Sequence, residues 1–193
     1  LSDARVDIVA DGFDIALRIA DLFRQPVDIA LRYGEPEDSS LVALPIAPDN
    51  RRVLCASPHW IKAHGSTPQH PGELAQLPWL EMSRSDDAQA DFLWRQQGTG
   101  QEYRLQVRPL MVSNHRSAVQ QFCEAGLGLA LLSAHDVAAS LETGSLVRLL
   151  PDWDMGMLDI WAVTASRDSL PAKVREAIEV LRQYFAQLEG MQS

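Results

Sequence analysis

Arg51-Arg52-Val53-Leu54-Cys55-Ala56-Ser57-Pro58-His59-Trp60-Ile61-Lys62-Ala63-His64-Gly65 reads as an apolar strand running straight into a capped helix. Val53 to Ala56 form a short β-type run. Ser57 can satisfy a free backbone N–H of the first helical turn, and Pro58 suits that turn because its missing N–H has no partner to lose. Gly65 stops the helix. A second start of the same kind, His70-Pro71, precedes Gly72-Glu73-Leu74. A strand that ends in a helix start directs backbone donors towards a small polar ligand, so this stretch predicts a binding fold built from strand–helix junctions.

Outward from this stretch, strands and helices alternate. Val27 to Arg32 is β-like with turn residues behind it, and its letters Asp28-Ile29-Ala30-Leu31-Arg32 also occur at Asp14 to Arg18. Phe92 to Arg95 and Tyr103 to Val107 flank Gly98-Thr99-Gly100, which predicts a β-hairpin. Phe92 and Trp94 share one face, and Tyr103, Leu105 and Val107 share another. Ser113-Asn114 offers a helix cap, and Ala118, Val119, Phe122 and Cys123 fall on one helical face. Gly126 ends that helix and Leu127 to Leu132 reads as a buried strand. His135 to Leu141 reads as a helix closed by Gly144, and Leu158 to Val163 as a strand. After Pro171, the residues Val174, Ala177, Ile178, Leu181, Tyr184, Phe185 and Leu188 follow 3.6-residue spacing. The alternation argues for an α/β fold.

The chain has 193 residues, enough to bury a sizeable core as one large domain or two lobes. Its net charge of -9, with 17 basic against 26 acidic residues, makes it a poor nucleic-acid binder by itself, because that task needs clustered Lys and Arg. The two cysteines, Cys55 and Cys123, lie in apolar runs and read as buried thiols rather than a disulfide framework. No run reaches the ~18 apolar residues of a membrane helix. No signal peptide opens the sequence, so the expected location is cytoplasmic.

Four stretches, in order, resemble the effector-binding (regulatory) domain of LysR-type transcriptional regulators. They are Asp28 to Gly34 with Asp38 to Val42; Cys55 to Ile61 with His64, Gly65, Pro68, Pro71 and Leu74; Ala125 to Leu132; and Gly144 to Trp153. The resemblance covers roughly residues 5 to 188. It implies two Rossmann-like lobes joined by two crossover strands, as in type II periplasmic binding proteins. The first lobe would hold residues 1–49 and 152–193, the second residues 50–151, with crossings near Arg51 to Val53 and near Leu150 to Trp153. The family's first strand and first long helix are not evident in the sequence, which predicts a shortened N-terminal part.

Ser57 and His59 lack the G-x-S-x-G elbow and a placed acid, so no catalytic residues are expected. His59, His64 and His70 lack metal-ligand spacing, and neither a metal nor a cofactor is expected. Gly126-Leu127-Gly128 follows a helix rather than a strand, so it predicts a tight helix-to-strand turn instead of a dinucleotide loop. The expected ligand residues sit at strand C-terminal ends and helix N-termini. They are Arg32, Tyr33 and Gly34; Ala56, Ser57 and His59; Ser83 and Arg84; and Ser113, Asn114 and His115. Arg32 has the alternative of pairing with a surface carboxylate, and Ser57 and Asn114 of capping alone. Helix N-termini with Arg32 or Arg84 favour a small polar or anionic metabolite.

The resemblance implies an effector-sensing, dimerising domain without enzymatic activity. A metabolite bound between the lobes would modulate DNA binding by a helix-turn-helix outside this chain, in a homodimer or tetramer with no membrane partner. The alternative on the same fold is a solute-binding protein of a transport system.

Overall fold

Three apolar clusters and the strand register divide the chain. The computed structural model describes residues 8–10, 28–34, 42–82, 89–113, 115–164 and 170–190. The chain separates into two compact units, Leu1–Asn50 with Leu158–Ser193, and Arg51–Met157.

In the first unit, β1 (Ile8–Ala10) runs parallel to β2 (Ile29–Tyr33). The sheet order is β1-β2-β12-β3, with β3 at Val42–Ala47 and β12 at Ile160–Thr164 antiparallel to both its neighbours. The last helix, named α4 below (Ala172–Gly190), buries Val174 and Ile178 against Ile29, Ile46 and Ile160. Full burial of such aliphatic side chains is worth roughly 1.5–3 kcal/mol each. Tyr184, expected on the apolar face, is 55% exposed, because it lies at the margin of a stripe whose centre, with Val174, Ile178, Leu181 and Phe185, packs on the sheet. The Asp14–Arg18 copy of the repeated letters lies outside the described residues.

The second unit is built on β10-β4-β9-β5-β8. Here β4 is Arg52–Ala56, β5 Trp79–Met82, β8 Met111–Ser113, β9 Leu129–Ser133 and β10 Val147–Leu149. Strands β9, β5 and β8 are parallel, whereas β4 is antiparallel to both β9 and β10. One sheet face packs on helices α2 (Arg116–Glu124) and α3 (Ala134–Thr143) through Cys55, Leu80, Val119, Cys123 and Val137. The other face packs on α1 (Pro58–His64), a 3-10 turn (Pro71–Leu74) and the hairpin of β6 (Ala90–Gln96) and β7 (Glu102–Val107). Phe92 pairs with Leu105 and Trp94 with Tyr103, so the two apolar sets read from the sequence lie on one face and cover Trp79 together. The indole Nε1 of Trp79 donates to the Leu74 carbonyl at 3.0 Å.

The expected return crossing near Leu150 to Trp153 is corrected. Leu150 adopts φ 49°, its carbonyl accepts the Trp153 amide at 3.0 Å, and β11 (Trp153–Asp154) pairs with β6. Those pairings keep the chain in the second unit to Met157. Arg51 bridges Met157 within that unit, and the Arg52 amide donates to Gly156. In the first unit, Leu158 and the buried Asn50 exchange two hydrogen bonds.

Candidate functional site

The register of the second unit defines two sheet edges. The proximal edge is where the chain enters and leaves, at Arg51 and Met157. Arg52 at the start of β4 stands opposite Ser133 at the end of β9, and Met82 at the end of β5 opposite Ser113 at the end of β8. Three strand C-terminal ends and the starts of α2 and α3 therefore meet at this edge. Strand ends and helix starts present unpaired backbone groups there, which suits small ligands.

Ser57 and His59 lie elsewhere. Because β4 runs against β9, Ala56 ends at the distal edge, about 13 Å from Arg52 at the usual rise per strand residue. Ser57 is 1% exposed and its Oγ accepts the Trp60 amide at 3.2 Å. Its partner at this edge is Gly126, where an added Cβ would stand 2.9 Å from His59 Cδ2 and 3.3 Å from Ser57 Oγ. The expected gathering of Ala56, Ser57 and His59 with Ser113 and His115 is thus corrected: antiparallel insertion of β4 sends its C-terminal end away. A nucleophile role for Ser57 finds no support in a buried hydroxyl committed to a cap.

At the proximal edge, Ser113 does not cap α2. Its Oγ accepts the His115 amide at 3.1 Å, and His115 occupies the N-cap without a side-chain capping bond. Ser133 caps α3 instead, its Oγ accepting from Asp136 N at 3.4 Å. Asn114, Ser83 and Arg84 lie outside the described residues.

In the first unit, Arg32 is only 6% exposed and stands opposite Trp161 in register. It shares a strand face with Ala30, while Ile29, Leu31 and Tyr33 turn to the α4 core. Tyr33 is therefore a packing residue here. Gly34, at φ 77°, donates its amide to the Asp159 carbonyl at 2.9 Å.

The sequence reading missed three charged residues of the proximal edge: Arg52, Glu81 and Arg116. Burial pushes the Glu81 carboxyl up to about 7, although Arg52, a hydrogen bond from the Met82 backbone and Arg116 all pull it down. Burial, and then the charge of Arg116, hold the Arg52 guanidinium below its ordinary range, with Glu81 acting the other way. A signal existed. In Trp79-Leu80-Glu81-Met82, the period of a strand puts Glu81 on the face of Trp79, where an apolar residue is the rule.

Among the described residues, no group of three His, Cys, Asp or Glu side chains gathers as metal ligands, and no helix is long and apolar enough to cross a membrane. On the outer face of the hairpin, Arg104 binds Asp91 at 2.7 Å and Arg95 binds Glu102 at 2.7 Å, exposed pairs of little energetic weight.

Comparison with known proteins gives a consistent picture. Residues 14–186 match the sequence profile of the LysR substrate binding domain. The HTH-type transcriptional regulator DmlR of Escherichia coli is 37% identical over 175 residues, which is 91% of this chain and 55% of that protein. The HTH-type transcriptional regulator PtxR of Pseudomonas aeruginosa is 30% identical over 181 residues, 94% of this chain and 55% of that protein. The regulatory domain of CrgA, a LysR-type transcriptional regulator from Neisseria meningitidis, matches with a TM-score of 0.69 at 24% identity, over 94% of this chain and 100% of that one. This last likeness shows the fold. The chain spans about half the length of the curated relatives it matches.

Proposed function

The chain belongs to the LysR substrate-binding domain family, and from that premise we propose that it senses a small anionic effector at the proximal edge of the second unit. The family consists of regulators rather than enzymes, so ligand recognition is the whole task and no bond is made or broken. The observation that supports this placement is the meeting of three strand C-terminal ends, two helix starts and the guanidinium groups of Arg52 and Arg116 at one sheet edge. Helix starts and guanidinium groups both favour negative charge, and Arg binds carboxylates through a planar fork. Ser113 and His115 contribute polar groups beside them.

Ligand binding acts by differential affinity: an effector that prefers one conformational state of the domain shifts the population towards it by that difference. In a full-length regulator this shift is read by a DNA-binding helix-turn-helix, with two or more copies paired so that their DNA-binding parts are re-spaced. The test is a thermal-shift screen of small organic carboxylates beside their neutral amides. Carboxylates raise the melting temperature in proportion to occupancy, and the amides do not. A preference for cationic or purely apolar compounds overturns the reading.

A further inference from the structure

Glu81 is the one charged residue in an otherwise apolar strand, and its surroundings give it a purpose. It faces the same side as Trp79, towards the cluster holding Leu54 and Leu129. A carboxylate there is costly unless charge and hydrogen bonds offset its lost hydration. Arg52, on the face of Leu54, stands across β9 from it, and Arg116 opens α2. The neighbouring strands add no charge: β8 sets Val112 opposite Glu81, and β9 is apolar from Leu129 to Leu132. The hairpin meets this face with Ala90 and Phe92, and its charged residues Asp91, Arg95, Glu102 and Arg104 pair with one another on the outer side. Helix α2 adds His115 at its cap, with Cys123 and Glu124 at its far end. Glu81 thus answers to two arginines, and among the described residues nothing else charged faces it from these elements.

We infer that Arg52, Arg116 and Glu81 form a proton-linked anion subsite, in which an effector carboxylate binds the two guanidinium groups while Glu81 takes up one proton from solvent. The inference rests on the effector reading above and adds the ligand's charge and its pH dependence. Charge balances. Empty, the subsite holds two guanidinium cations and one carboxylate; filled, it holds the same cations, a neutral Glu81 and the ligand carboxylate. Counting only the one ligand carboxylate that the guanidinium groups hold, the exchange leaves the summed charge of these groups unchanged. The ligand replaces Glu81 as counter-ion instead of adding a second anion to a half-buried site. Burial already leaves the carboxyl titrating about pH 7, so exchange needs little additional free energy near neutrality. By linkage, a group that gains a proton on binding makes affinity fall as pH rises through its titration range.

Succinate, fully ionised near neutrality, is the probe. Titration calorimetry of the chain at pH 8, in two buffers of different ionisation enthalpy, counts the protons. Uptake close to one per succinate is expected, with affinity falling by up to roughly tenfold per pH unit above the titration of Glu81. Glu81→Gln abolishes both the uptake and the pH dependence and binds at least as tightly as wild type does in acid. His115→Gln leaves the uptake intact. Arg52→Met weakens binding about tenfold or more at every pH, and Arg116→Gln replaces it should that variant fail to fold. Succinate binding without proton uptake, or an unchanged pH dependence in Glu81→Gln, overturns the inference and leaves the effector reading standing. Absence of binding at any pH, by succinate and by every carboxylate of the panel, overturns both.

Discussion

Gly128 and Pro78 are in backbone contact: the Pro78 carbonyl oxygen occupies the place where a Cβ on Gly128 would go, and the same oxygen accepts the Leu129 amide at 2.8 Å. The contact lets β9 start beside β5, with Trp79 registered on Leu129. The backbone of Gly128 is not left-handed, unlike that of Gly126 at φ 81°, so its requirement is purely one of space.

Gly128→Ala must therefore push two strands apart. Overpacking of this kind costs about 1–3 kcal/mol, and the rigid backbone partner puts it at the upper end. A thermal melt is expected to fall by several degrees. An unchanged midpoint would mean the strands have slack that this contact denies.

Ser57→Ala removes the cap of α1 and leaves the Trp60 amide without its Oγ partner, costing about 1 kcal/mol. Because Ser57 lies at the distal edge, effector affinity is expected to stay within about twofold of wild type. Chemical denaturation and calorimetry on the same variant separate the two; a large loss of affinity at unchanged stability contradicts the assignment of the edges.

Glu81 makes stability depend on pH. Its folded carboxyl titrates at about 7 against an ordinary 4.5, so the folded state holds its proton more tightly than the unfolded chain. The stabilisation from the protonated form is complete below 4.5 and is lost as pH rises through 7, a difference on the order of 3 kcal/mol at most. Glu81→Gln is expected to flatten that limb and to be more stable than wild type at pH 8. Denaturation midpoints across this range provide the check, and parallel curves for the two proteins would refute it.

Cys55 and Cys123 are buried together, with Cys123 Sγ donating to the Cys55 carbonyl at 3.3 Å. Burial pushes the Cys123 thiol up to about 12 and the Cys55 thiol higher still. Thiolate is the reactive form, so both are expected to resist a thiol reagent in the folded protein and to react fully once unfolded. Rapid labelling of either under native conditions would show that the core opens there.

The legible parts of this chain are its local ones. Ser57, Pro58 and Gly65 stand where a helix start and stop need them, and the structure has α1 between them. Gly98 to Gly100 join β6 to β7 as their spacing predicts, and Gly126 and Gly128 make the tight turn into β9. The proximal edge was not legible. Ser57 does end a strand, as read, but nothing local to it says that β4 runs against β9 while β5 and β8 run with it. Arg52, Glu81 and Arg116 looked like three unrelated charges because the strand between the first two, β9, lies far along the sequence from both.

Caps, turns, strand alternation and the apolar stripe of α4 act between residues a few positions apart, so the sequence by itself determined the capped helices, the hairpin, the turn into β9 and the alternation of strands with helices, but not the short strands β3, β8 and β10. Strand order and direction depend on which distant segments bury their apolar faces together, and only the tertiary structure decided those. With them it decided that Ser57 belongs to one edge of the sheet, and that Arg52, Glu81 and Arg116 share the other.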